Sequence, residues 1–199
     1  MYRTAEELLS QAQERSVPLW RIVLENEMEL TEKTEQQVFD RLEKTYGVME
    51  RSATKALSSP QHAIGGLITG VSQIQNEYSN LDSSLCGSWM NHSMALAFSC
   101  SEVNAAMGKI CAAPTAGACG ILPAVLLSVR DKRGLTLREV LCGLLTAAGL
   151  GAIITRNATV AGAEGGCQAE CGVAAAMASA AAVELCHGSP EAALHAGSF

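Results

Sequence analysis

Two glycine-rich stretches carry the residue types that chemistry needs. In Gly162-Ala163-Glu164-Gly165-Gly166-Cys167-Gln168-Ala169-Glu170-Cys171, a cysteine stands where a helix is expected to open, and the positive end of the helix dipole favours the thiolate that metals and electrophiles require. Cys167 is therefore the best placed of the 8 cysteines. Cys171 follows one helical turn later on about the same face, so the pair can form a two-thiolate site. The C-x-x-x-C spacing differs from the C-x-x-C of zinc knuckles and bacterial ferredoxins, and a complete four-thiolate cluster needs more ligands than this pair supplies. With further ligands from a partner, the pair would suit zinc.

The second stretch is Ala113-Pro114-Thr115-Ala116-Gly117-Ala118-Cys119-Gly120. Small residues let a ligand approach the backbone while the next helix presents free N–H groups, an arrangement suited to a carboxylate or phosphate. A tight connection between two closely packed helices uses the same residues. Cys86, Cys100, Cys111, Cys119, Cys142 and Cys186 read as small core residues, because free cysteine is among the most buried residue types. His62, His92, His187 and His195 show neither i, i+4 metal pairing nor a carboxylate at helical spacing, so composition assigns no catalytic base. No glycine loop follows a strand, which removes the Rossmann and P-loop readings.

The elements that must position these stretches read as helices throughout. Thr4 with Glu7, and Thr136 with Glu139, form T-x-x-E boxes, and Pro18 suits the first turn of a second helix. Val38, Leu42, Tyr46 and Met49 recur at helical spacing after Thr31, so a third helix runs into the 50s until Ser58-Ser59-Pro60-Gln61 ends it. Residues 65–88 form a loop-rich passage with at most one short helix. A buried helix is expected over 89–112, another from near Ala118, and a third opening at Thr136 and ending at Gly149 and Gly151. Residues 167–187 predict a helix buried on every face, stopped by Gly188, with Pro190 starting the next. No segment alternates with a period of two, so the fold class is all-α.

Composition limits the function. The chain has 199 residues, 48% hydrophobic, 17% charged and 4% aromatic, enough apolar material for one domain whose elements pack closely around small side chains. Residues 1–50 hold 11 acidic and 6 basic side chains, so 1–57 reads as an acidic N-terminal helical layer and 89–199 as a motif-bearing helical core. The net charge of -6 and the lack of a Lys/Arg cluster argue against nucleic acid as a partner. The apolar run 171–183 is too short to span a bilayer, so no membrane partner is expected. The opening MYRTAEELLSQAQER has neither signal-peptide nor transit-peptide character. The chain is therefore expected to be cytoplasmic, with its thiols reduced.

At EVNAAMGKICAAPTAGACGILPAVL (102–126), NATVAGAEGGCQAECGVAAAMA (157–178) and VLENEMELTEKTE near the N-terminus, the chain resembles the alpha chain of the bacterial iron–sulfur L-serine dehydratases. The resemblance implies deamination of L-serine to pyruvate and ammonia without pyridoxal phosphate. It also implies a [4Fe-4S] cluster held by three cysteines, with one iron open to bind and activate the serine hydroxyl. In the family pattern Cys167 is a ligand and Cys171 is not; the other two ligands belong to a C-D-P-V-A-G-x-x-x-V-P-C segment beyond residues 194–196, which this chain lacks. The chain is thus expected to be C-terminally incomplete, and Gly197-Ser198-Phe199 departs from the helix expected to continue there. Residues 65–74, GGLITGVSQI, also lack the acidic and lysine side chains of the family.

On this resemblance Thr115 and Gly117 cradle the substrate carboxylate, with Asn104 and Asn157 as adjacent polar candidates. A beta chain or domain is the expected partner, and an oligomer is expected. A non-catalytic helical remnant or partner-binding subunit without a cluster is the alternative.

Overall fold

The computed structural model describes residues 1–198; the expectation placed on Phe199 lies outside them. Among the described residues there is no strand, and the fold is all-α, as the sequence predicts. The acidic layer consists of α1 (Ala5–Glu14), α2 (Leu19–Thr31) and α3 (Glu35–Lys55). The Thr4 hydroxyl caps α1 by accepting the Glu7 N–H at 3.2 Å, but the Glu7 carboxylate reaches past the cap to the Arg3 N–H at 2.6 Å. α3 starts at a full Thr34–Gln37 capping box, three residues later than Thr31 suggests. Pro18 occupies the N-cap of α2 and not its first turn. Glu35 pairs with both Arg21 and Arg138, fastening this layer to a later helix.

The rest comprises α4 (Val71–Ser79), α5 (Gly87–Ala105), α6 (Ile121–Arg133), α7 (Leu137–Asn157), α8 (Gly162–Cys167), a π-helical turn over Gln168–Gly172, α9 (Val173–Leu185) and α10 (Pro190–Ala196). α7 is the central element, packed against α9 and α2, and its inner face joins one continuous apolar core with Leu24, Phe39, Leu126 and Ala181. Its capping box at Thr136 and Glu139 forms as predicted.

Gly149 and Gly151 do not end α7; both are buried inside it, because Val23 and Met177 press so close that a side chain at either position would collide with them. Length and composition would allow α7 to cross a membrane, but most of it is buried inside the protein. α5 stops at Ala105, short of residue 112, and is buried on one side only: Ala95, Leu96 and Val103 face inward, whereas Trp89, Met90, Met94 and Phe98 are exposed. Residues 167–172 are at the surface, and the buried helix begins at Val173. Of the cysteines assigned to the core, Cys100 and Cys119 are buried and Cys111 and Cys142 half-buried, but Cys86 and Cys186 are exposed because they sit at the ends of α5 and α9.

Candidate functional site

The last turn of α5 organises the first glycine-rich stretch. The Asn104 side-chain amide donates to the Ala116 carbonyl at 3.1 Å, and the Ala113 N–H donates to the Thr115 carbonyl at 3.4 Å, across a cis Ala113–Pro114 bond. This folds residues 113–117 into a turn ahead of α6. Thr115 Oγ1 is buried there without a hydrogen-bond partner. Burying a hydroxyl unpaired costs about 1–3 kcal/mol, so a ligand oxygen delivered to Thr115 would recover that loss.

The same end of α5 holds residues 61–72. The buried Glu102 carboxylate accepts the N–H of Gln61 at 2.6 Å and of Ser72 at 3.3 Å, and the Ala105 carbonyl accepts the Ile64 N–H at 3.4 Å. A carboxylate therefore reaches this stretch from α5, although residues 65–74 carry none of their own.

The second stretch follows α7. The Thr159 hydroxyl donates to Glu164 at 2.6 Å and accepts the Ala161 N–H at 3.2 Å, shaping the entry to α8. Gly166, at φ 71 and ψ -171, then breaks the helix in a conformation that only glycine adopts readily. The break lets Cys167 begin a new helical run, through the π turn into α9. Cys167 is exposed, with its Sγ 3.5 Å from that of Cys171. The Cys167 sulfur, with lesser effects from desolvation and Glu170, raises the Cys171 thiol above its ordinary range.

Glu170 joins the two stretches. A methyl group placed on Gly117 would lie 2.9 Å from Glu170 Oε2, and one on Gly162 would lie 2.8 Å from the same oxygen. The carboxylate thus fills the space that absent side chains leave in both turns. Sequence reasoning passed over this residue. Its position three after Cys167 marks it as a neighbour in the helix, but only the packing of α9 beside α6 brings it against Gly117.

The structure thus brings Asn104, Thr115, Gly117 and Glu170 to one locus, with Cys167 one helical turn from Glu170. Asn157 stands apart: its amide donates to the Ile153 carbonyl at 2.8 Å and the Arg3 carbonyl at 3.5 Å, closing the end of α7 on the N-terminus. A hollow of about 340 Å³ reaches Cys111, Ala113 and Pro114 at the root of the first turn. Another of about 310 Å³, between α2, α3 and α7, is lined by Tyr2, Asn26 and Arg41 and contains none of the site residues.

Cys167 is an exposed thiol at the start of a helical run. The described residues do not complete a three-thiolate set, and no group of three or more His, Cys, Asp or Glu side chains among them could hold a metal ion. Burial pushes the thiols of Cys100 up to about 12 and of Cys119 and Cys142 up to about 11, which keeps them protonated at neutral pH.

Residues 14–199 match the family model described as the serine dehydratase alpha chain. The chain is 45% identical over its whole length to the L-serine dehydratase alpha chain of Peptoniphilus asaccharolyticus, of which it covers 68%. It is 37% identical to the probable L-serine dehydratase alpha chain of Bacillus subtilis (strain 168), with 96% of this chain matched to 63% of that one. It is 35% identical to L-serine dehydratase 2 of Escherichia coli (strain K12), with 95% of this chain matched to 42% of that protein. The chain therefore spans between two fifths and just over two thirds of these relatives, and it belongs to the serine dehydratase alpha chain family.

Proposed function

We propose that this chain is the alpha part of a cytoplasmic, oligomeric L-serine ammonia-lyase, an iron–sulfur enzyme that converts L-serine to pyruvate and ammonia with a beta chain or domain as partner. The observation that carries this reading is the packing of Glu170 against both Gly117 and Gly162, which draws the two glycine-rich turns together beside Cys167. The relatives named L-serine dehydratase supply the substrate.

Each residue then has a task. Cys167 holds one corner of the cluster. When bound, the cluster supplies the Lewis acid that turns the substrate hydroxyl into a leaving group. Asn104 pins the 113–117 turn through the Ala116 carbonyl, and the Thr115 hydroxyl, lacking any partner, donates to the substrate carboxylate. Gly117 keeps the approach open. Asn157 acts at a distance, by closing the end of α7 that leads into the Cys167 stretch. The other cluster ligands come from outside the described residues.

The test is anaerobic reconstitution with iron and sulfide of this chain and of a version extended with the C-terminal segment of the Peptoniphilus relative, with pyruvate formation from L-serine measured in the presence of a beta partner. Visible cluster absorbance and pyruvate are expected from the extended chain. Cys167→Ala abolishes both while leaving the far-ultraviolet helix signal unchanged. Absence of a cluster from both forms would overturn the iron–sulfur reading and favour a partner-binding subunit without catalysis.

A further inference from the structure

We infer that the hollow between α2, α3, α7 and the N-terminal residues is a binding site for an L-α-amino acid with an aliphatic side chain, separate from the Thr115–Glu170 locus. The hollow has two compartments, of about 310 and 300 Å³, that meet at Tyr2, Asn26, Leu30 and Ala152. Small-molecule sites start at about 300 Å³, so either compartment takes part of a small ligand and the two together take all of it. The first is lined mainly by apolar side chains, among them Val23, Val38, Leu42 and Leu145. The second is lined by Arg3, Ile153 and Arg156.

The unmet polar groups say what the ligand must offer. At the junction Asn26 Oδ1 is buried without a hydrogen-bond partner among the described residues, and a buried acceptor left unpaired calls for a donor. Arg3 and Arg156 have no acidic partner within ion-pair distance among the described residues. Two unanswered guanidinium side chains thus line the second compartment of a chain whose net charge is -6, and the guanidinium fork suits a carboxylate. In the first compartment Glu27 faces Arg41 at 3.9 Å, with Lys33 alongside. The Tyr2 hydroxyl uses room left by Gly149, where an added Cβ would lie 3.1 Å from it. Burial, and then the Glu27 charge, push that hydroxyl up to about 12, so it stays neutral.

Cationic compartment, buried acceptor and apolar compartment follow one another in the order of the groups on an aliphatic amino acid: carboxylate, ammonium and hydrocarbon side chain. The carboxylate lies on Arg3 and Arg156, the ammonium donates to Asn26 Oδ1, and the side chain enters between Val23 and Leu145. A fatty acid would leave Asn26 without its donor, and a plain amine would leave the two arginines unanswered. The bound molecule lies against Arg3 and Ile153, whose carbonyls both accept the Asn157 amide. It therefore ties the N-terminus to the last turn of α7.

The experiment is a calorimetric titration of the 199-residue chain with L-isoleucine. Saturable binding is expected, with a thermal midpoint that rises with ligand concentration. Binding of 3-methylpentanoate, which lacks the ammonium, and of 2-methylbutylamine, which lacks the carboxylate, should be weaker by at least about tenfold, the loss of one charge-assisted hydrogen bond. Arg156→Gln should weaken L-isoleucine binding by a similar factor. Ala152→Trp, at an exposed position lining both compartments, should fill the junction and abolish binding with the helix signal unchanged. No saturable heat up to the solubility limit, binding that survives Ala152→Trp, or 3-methylpentanoate bound as tightly as L-isoleucine would each overturn the inference. If Ala152→Trp fails to fold, Arg156→Gln, an exposed side chain, decides. Failure of L-isoleucine to bind leaves the proposed function standing, and failure of a cluster to form leaves this inference standing.

Discussion

At the residue scale, the site depends on what the two glycine-rich turns leave out. Gly117 and Gly162 have no side chains, and the Glu170 carboxylate occupies the volume that side chains would need. Gly117→Ala is expected to push Glu170 aside, with the cost of overpacking, about 1–3 kcal/mol. Glu170→Ala frees that volume, so the double variant should lose less than the sum of the single changes. A double-mutant cycle by urea unfolding measures the coupling. Strict additivity would show that Glu170 does not bear on Gly117.

At the element scale, helix propensity and helix packing pull against each other in α7. Gly149 and Gly151 look like a helix end because glycine disfavours helix interiors by about 1 kcal/mol relative to alanine. Here they stay helical because neighbouring helices approach more closely than a side chain would permit. An added Cβ at Gly149 would lie 2.4 Å from Val23 Cγ2, whereas at Gly151 it would meet the flexible end of Met177 at 2.9 Å. Gly149→Ala is therefore expected to lower the thermal midpoint more than Gly151→Ala, since Met177 can move away and Val23, held on α2 with a stiff χ1, cannot. The reverse order would mean that propensity, and not packing, governs this stretch.

At the scale of the whole molecule, one half-buried carboxyl and several exposed apolar side chains stand out. Burial of Glu184 on α9 raises its carboxyl above the ordinary glutamate value, partly offset by the Thr146 hydroxyl and the N–H groups of Trp20 and Leu19 at the start of α2. A carboxyl whose folded pKa is raised adds stability that is full below its unfolded value, near 4.5, and is lost as pH climbs through the folded value. Wild type should therefore lose stability relative to Glu184→Gln as pH rises across that window, read from urea midpoints. Parallel curves would remove Glu184 from the pH dependence. Leu67, Leu85 and Met107 are 90%, 94% and 80% exposed, and Met94 and Phe98 on α5 are exposed as well. Exposed apolar side chains bind hydrophobic dyes, so ANS fluorescence is expected to rise with the folded chain alone and to fall for Leu67→Gln with Leu85→Gln.

The all-α class, the Thr4 cap of α1, the capping box of α7 and the Pro190 start of α10 were legible in the sequence alone. These are local matters of period, cap and turn, decided within a few residues. The sequence also carried the family, through ordered motifs at 102–126 and 157–178. Only the tertiary structure decided that Gly149 and Gly151 lie within a helix, that one side of α5 and both Cys86 and Cys186 are exposed, and that Asn157 faces the N-terminus. It alone placed Glu170 between Gly117 and Gly162. Each of these depends on which helix packs beside which, and contacts made by packing between elements leave no mark in the local pattern of either segment.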